Sequence, residues 1–340
     1  MCILGRVSAR SVDYERLSVE LLRALRGRRS QSGLSRRLGY RSNIVHRWET
    51  RQCWPSAARF LELCQRVGLD PRKSYARMAP RRPEPLFAAP PASPAAVTAL
   101  LGELRGRTPI IELADSMAIN RFTVSKWLRG TASPNLPYFL HLIEATSGRL
   151  LDFIATLCDP ASLPSVARRW RQLQLARDVA YDEPWSHAVL RALQLESAPR
   201  SGDQLEFVAS RLGLNHGEVE RLLCALRDAG QATDRAGRWT VSPVQRVDTS
   251  LEPDRARSLK ATWIRAAAER LEAGVPGSFA YSLFEVSAAD LARLREVQVQ
   301  YLREMLSIIA GSRGTQCVGL FCAQLLDLAP GPDNALAGGR

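Results

Sequence analysis

The residues of this chain whose types and spacing could do chemistry are cationic and hydrogen-bonding. Arg41, Ser42, Asn43, His46 and Arg47 fall close together. Steps of three and four along a helix bring side chains to one face, which leaves these five positions free of the residues that would form a core. An arginine fork can pair bidentately with guanine O6 and N7, and an asparagine amide with adenine N6 and N7. Each such pair discriminates between bases by about 1–3 kcal/mol. The same positions recur 79 residues later as Asn120, Arg121, Phe122, Ser125 and Lys126. There Phe122 suits either a thymine methyl group or packing against a neighbouring domain. Patterns for catalysis are absent: there is no G-x-S-x-G, no phosphate-loop glycine run and no H-E-x-x-H. Asp178, Asp182 and Glu183 are neighbouring acids that read as a solvated helix end. Cys2, Cys53, Cys64, Cys158, Cys224, Cys317 and Cys322 include no C-x-x-C pair, and His46, His141, His187 and His216 stand far apart. That spacing fits neither a disulfide framework nor a zinc site, and the thiols read as free core residues. The expectation is a non-enzymatic protein with no metal and no cofactor.

The elements that must position these residues follow from apolar spacing. Gln31–Leu38 reads as a short helix, Gly39 as a turn residue able to take positive φ, and Arg41–Arg51 as a second helix. Leu34, Leu38, Val45 and Trp48 would meet between them. Trp54-Pro55 stops the chain, and Pro55-Ser56 opens a further helix. A second segment aligns without a gap at an offset of 79. Leu34 matches Leu113, Val45 matches Val124, Arg47 matches Lys126, Trp48 matches Trp127, Pro55 matches Pro134 and Leu63 matches Leu142. A repeated module of two short helices at a steep angle, joined by a tight turn, is a helix-turn-helix pattern.

The stretch SQSGLSRRLGYRSNIVHRWETRQCWPS resembles the helix-turn-helix of the phage repressor/Cro family from its Gln start to the Pro after the second helix. It departs at Ser35, where the family usually has Ala, and at Arg51, where Gly often ends the helix. The second copy, PIIELADSMAINRFTVSKWLRGTASP, keeps Ala114 and Gly130 and departs at Ile110, where Gln is usual, and at Ala118, where Gly is usual. The resemblance implies that the N-terminal part of the second helix enters the major groove of double-stranded DNA and that Gln31 contacts a phosphate. Arg28, Arg29, Arg36 and Arg37 are candidates for phosphate neutralisation, which positions without specifying. Repressors of this type usually bind as homodimers at half-sites about one helical turn apart. Tandem copies could instead let one chain cover both.

Charge agrees with this reading. The chain carries a formal net charge of +13. Residues 1–78 hold 17 Arg or Lys against 6 Asp or Glu, residues 79–150 hold 8 against 5, and residues 151–340 hold 22 against 23. All but Lys73, Lys126 and Lys260 of the basic residues are Arg, a bias of composition that does not explain the uneven distribution. A localised positive field suits phosphate binding.

The expected fold is mainly α. It comprises a first helix-turn-helix domain over 12–78, a Pro-rich semi-extended linker over 79–94 and a second domain over 95–158. A winged-helix-like domain over 165–246 and a small α+β unit over 255–328 follow, then a disordered tail over 329–340. FVASRLGLNHGEVERLLCALRDAGQATDRAGRWTV is similar to the winged-helix pattern of many bacterial regulators. Glu218, Glu220 and Asp228 on its third helix would repel phosphate, so packing or dimerisation is expected there. The last unit is expected to use strands over Phe279–Val286 and Gln316–Gln324. The region 165–328 resembles uncharacterised bacterial domains found after helix-turn-helix modules, for which dimerisation or sensing of a small-molecule or protein effector is the expected role. Hydrophobic residues make up 46%, but no apolar run reaches the ~18–20 residues of a membrane span. Met1–Arg10 lacks the apolar core of a secretory signal, so a cytoplasmic location is expected. Together these readings give a cytoplasmic, sequence-specific transcription regulator. The alternative is a protein-interaction scaffold or anti-regulator that uses the same folds to hold partners.

Overall fold

The computed structural model describes residues 12–79, 84–106, 108–200, 202–242, 247–312 and 314–328. The expected disordered tail lies outside them. The protein is mainly helical, with seventeen α-helices and one two-stranded sheet among the described residues. None of those helices is long and apolar enough to cross a membrane. The chain divides into two compact units. One runs through Asp178 and takes in 228–231 and 242–248; the other holds 179–227, 232–241 and 249 onward.

The first unit begins with α1 (Tyr14–Arg26), α2 (Gln31–Arg37), α3 (Ile44–Glu49), α4 (Ala57–Arg66) and α5 (Pro71–Met78). After α6 (Glu84–Ala88) come α7 (Pro94–Arg105), α8 (Ile110–Met117), α9 (Arg121–Leu128), α10 (Leu136–Ser147) and α11 (Leu150–Ala155). Shifted by 79, the bounds of α1–α5 reproduce those of α7–α11 to within two residues. The repeat therefore covers five helices, beyond the helix pair and Leu63/Leu142 at which the two sequences align. Capping residues fix the helix starts. Asp13, Ser30, Asn43, Ser56 and Asp70 each accept a backbone N–H at the start of their helix. Ser93, Asn120 and Asn135 do so in the second module, whereas Pro109 and Arg149 cannot cap α8 and α11. Each cap contributes about 1 kcal/mol, so the first module is the better specified of the two.

Leu17, Leu21, Leu34, Val45, Trp48, Phe60 and Leu61 of the first module share a continuous core with Leu100, Leu113, Val124, Trp127, Phe139 and Phe153 of the second. The Pro-rich segment expected as a semi-extended linker lies outside the described residues over 80–83 and forms α6 over 84–88. Its prolines leave room for α6, because Pro85 falls in the first turn, where a missing N–H costs nothing. Leu86 is buried in the shared core, and the Tyr75 hydroxyl donates to the Pro91 carbonyl.

Helix α12 (Ala167–Asp182) follows. Within the first unit, Arg177 donates to the fully buried Asp152 of α11 at 2.9 Å and to the Asp248 carbonyl at 3.1 Å, and Arg149 pairs with the Asp248 carboxylate. The second unit contains α13 (Ser186–Leu193), α14 (Gln204–Leu212) and α15 (His216–Asp228), then β1 (Ala232–Arg235) paired antiparallel with β2 (Arg238–Val241). Asn215 and Glu218 cap α15 reciprocally, each side chain accepting the other's backbone N–H, at 2.9 and 3.1 Å; this is a capping box. The Gln204 amide grips both backbone groups of Trp239, holding the hairpin against the core of Val189, Val208, Val219 and Leu223. Helices α16 (Pro253–Glu272) and α17 (Ala288–Gly311) complete the unit.

The strands expected at Phe279–Val286 and Gln316–Gln324 do not form; both segments take no regular secondary structure and join no sheet. Alternation makes a strand only when a partner edge and a covered face are available, and every residue from 271 to 290 is exposed. Among the described residues the C-terminal part is thus helical with irregular segments rather than α+β.

Candidate nucleic-acid interface

Helix α3 is shorter than its sequence pattern suggests. It starts at Ile44, so Arg41 and Ser42 lie in an exposed bend before it rather than on its face. Asn43 is its N-cap: its Oδ1 accepts from the His46 N–H at 3.3 Å, while the nearby Ser35 hydroxyl donates to the Gln31 carbonyl at 2.8 Å. With the oxygen held at the cap, a bidentate adenine contact competes with that cap, whereas the amide nitrogen is free to reach a base. Ser35 has a role that Ala could not supply. Its hydroxyl accepts the Val45 N–H at 3.1 Å and so ties the start of α3 to α2. Val45 and Trp48 point into the core, while His46 and Arg47 are exposed on the opposite face.

What holds α3 in place is a residue the sequence reading passed over. Glu49 is only 3% exposed. It accepts from Arg26 at 2.6 and 3.2 Å and from the Gln31 amide at 2.8 Å, with Arg23 at 3.7 Å. The Glu49 carboxylate raises the Arg26 pKa. Gln31 completes the chain through its Oε1, 3.3 Å from His46 Nδ1. The side chain expected to touch phosphate is thus engaged at both ends inside the protein, clamping α1, α2 and α3 together. The second module fills the equivalent positions with Ile110 and Leu128, half-buried against the core. The departure at Ile110 therefore has a partner: where Gln31 meets Glu49, two apolar side chains stand instead. The signal was available in the offset of 79, had the two positions been compared as a pair.

The arginines sort into two groups. Arg16, Arg23, Arg26, Arg59 and Arg66 are paired with Glu20, Glu49 or Glu62. Arg28, Arg36, Arg37, Arg41 and Arg47 are exposed and form no ion pair among the described residues. Arg29, also exposed, donates only to the Arg26 carbonyl. Arg51, in the turn after α3, and Arg72 and Lys73 on α5 are likewise exposed without an ion pair among the described residues, so the uncompensated charge of the module lies on the turns and exposed faces of α2 and α3 and also on α5.

In the second module Asn120 caps α9 by accepting the Phe122 N–H at 2.8 Å. The helix begins at Arg121, earlier than α3 relative to the repeat. Phe122 is 61% exposed, with the Arg121 guanidinium 5.0 Å above its ring, and Lys126 is exposed on the same helix. Ala118 holds a left-handed backbone, φ 52°, where the first module has Gly39 at φ 82°.

No family model, curated protein or solved structure matches the chain.

Proposed function

We propose that this protein is a sequence-specific double-stranded DNA-binding regulator that reads the major groove with α3, the second helix of a helix-turn-helix, and that α13–α15 with the β1–β2 hairpin form a winged-helix-like module. The observation that carries the reading is the partition of charge. The inward face of α3 is clamped by Glu49, Arg26 and Gln31, while its outward face and the flanking turns hold His46 and Arg47 amid unpaired arginines. A rigid helix with cations left unneutralised fits a polyanion better than a protein surface. In this reading Arg28, Arg29, Arg36 and Arg37 contact phosphates, Arg47, Arg41 and the Asn43 amide nitrogen approach bases, and Gln31 acts by buttressing.

The test is selection of duplexes from a random pool by the full chain at two salt concentrations, followed by anisotropy titrations. Arg36→Ala should weaken binding evenly across sequences and reduce the salt slope by about one. Arg47→Ala should relax the preference at one position of the selected site. Binding that is indifferent to salt and sequence would sink the proposal.

A protein-binding role for the second unit has its own support. Tyr281 is 93% exposed, Leu283 78% and Ile308 69%, large apolar side chains of the kind that a partner surface would cover. Self-association of the full chain in sedimentation would favour a homodimer through this region; a concentration-independent monomer would count against it.

A further inference from the structure

Two backbone hydrogen bonds relate the repeated modules to each other. The Ala57 N–H donates to the Pro134 carbonyl at 2.8 Å, and the Leu136 N–H donates to the Pro55 carbonyl at 2.9 Å. Ser56 and Asn135 face each other between them as an isolated antiparallel bridge. Each pair is its own equivalent under the 79-residue shift: 55 becomes 134, 56 becomes 135 and 57 becomes 136. Helix packing repeats the pattern. Helix α1 lies on α10 and its counterpart α7 lies on α4, while α4 meets α10 and α5 meets α11. A contact of i with j that is matched by j with i is the mark of a two-fold interface between identical subunits. Here it occurs inside one chain, with a pseudo-two-fold passing near Ser56 and Asn135.

A two-fold keeps equivalent elements at equal height along its axis and reverses their direction across it. Helices α3 and α9 are equivalents under this pseudo-two-fold, and a common core rather than a flexible linker fixes their modules to each other. The side chains they offer are unlike: His46 and Arg47 on α3, with Arg41 and the cap Asn43 just before it, and Arg121, Phe122 and Lys126 on α9. We infer that this chain is a covalent pseudo-dimer whose two modules grip one duplex together, one chain per site, and that its site consists of two inverted halves of different sequence. The inference rests on the DNA-binding reading above and adds to it the form of the site and a base-reading role for the second module. The half that α3 reads would favour guanine opposite Arg47. The half that α9 reads would favour thymine opposite Phe122, through the methyl group.

The experiment uses the full chain on its selected duplex, with the protein-to-duplex ratio measured by native mass spectrometry. Association of chains through the second unit leaves that ratio unchanged. The expected result is one chain per duplex and two unlike halves. Arg47→Ala should relax one half and Phe122→Ala with Lys126→Ala the other, each by roughly tenfold. All three side chains are exposed, so the fold should survive. Two chains on a perfect palindrome, or a site with a single half that Phe122→Ala and Lys126→Ala leave unchanged, would overturn the inference while leaving DNA binding intact. Absence of any salt-dependent duplex binding would instead remove the DNA-binding reading, and this inference with it.

Discussion

Gly39 and Ala118 hold the same place in the two modules, and both backbones are left-handed, as are those of the equivalent pair Arg51 and Gly130, at φ 62° and 73°. An L residue pays about 1–2 kcal/mol for this conformation, against a smaller entropic cost for glycine in the unfolded chain. Ala118→Gly should therefore stabilise the protein, and Gly39→Ala destabilise it, each by about 0.5–1 kcal/mol. Urea unfolding of the two variants checks this, and equal signs would show that positive φ is not what decides them. Glu49 supports a sharper prediction. Glu49→Leu alone strands Arg26 and the Gln31 amide beside an apolar side chain and should cost about 3 kcal/mol. Adding Gln31→Ile reproduces the Ile110–Leu128 pair and should recover part of that loss, a coupling that a double-mutant cycle measures directly. Additive losses would mean that the two modules do not solve this contact in equivalent ways. Glu49 escaped the sequence reading because a tally of charge counts an acid against the positive field. The geometry shows it organising that field by drawing in Arg23 and Arg26 and leaving the others outward.

Among the elements, those set by local spacing were legible. The helix pair, its core residues Leu34, Leu38, Val45 and Trp48, and the β1–β2 hairpin all follow from apolar period and turn chemistry. What depended on competition for backbone groups was not. The start of α3 is decided by Asn43 accepting the His46 N–H, three residues after the pattern begins. Helix α6 exists because Leu86 finds a buried site. The irregular segments around Tyr281 and Phe321 show the converse, since their alternation specified two faces but no partner edge. The cap at α3 separates structure from recognition. Asn43→Ser keeps an oxygen for the cap and should alter stability by no more than about 0.5 kcal/mol, whereas Asn43→Ala should cost about 1 kcal/mol. Both remove the amide donor, so both should weaken the sequence preference equally if that nitrogen reaches a base. A normal preference in Asn43→Ser would assign the residue to capping alone.

At the scale of the first unit as a whole, the contact between α1 and α10 carries a titratable group. The His141 ring stacks on Tyr14 with centroids 4.2 Å apart and planes 15° from parallel. Burial lowers the His141 pKa from its ordinary value, opposed in part by Glu144, and burial raises that of Tyr14. A histidine whose folded pKa is depressed binds its proton more readily when unfolded, so ∂ΔG/∂pH is positive between the folded and unfolded values. Its contribution is complete above the unfolded pKa of about 6.5 and is lost as pH falls from there through the folded value. Mild acid should therefore loosen the packing of the two modules. His187 in the second unit is shifted the same way, by burial and then by Arg191, so a decline in stability of the whole chain is not by itself diagnostic. His141→Phe makes it so, because Phe keeps a ring against Tyr14 and carries no proton. Thermal unfolding between pH 7.5 and 5.5 should show a shallower decline in the variant than in the native chain. If the modules act on DNA as a pair, the variant should also retain preference for both halves of the site at the acid end, where the native chain loses cooperation between them. Identical pH profiles for the two proteins would mean that His141 protonation does not cause the acid loss.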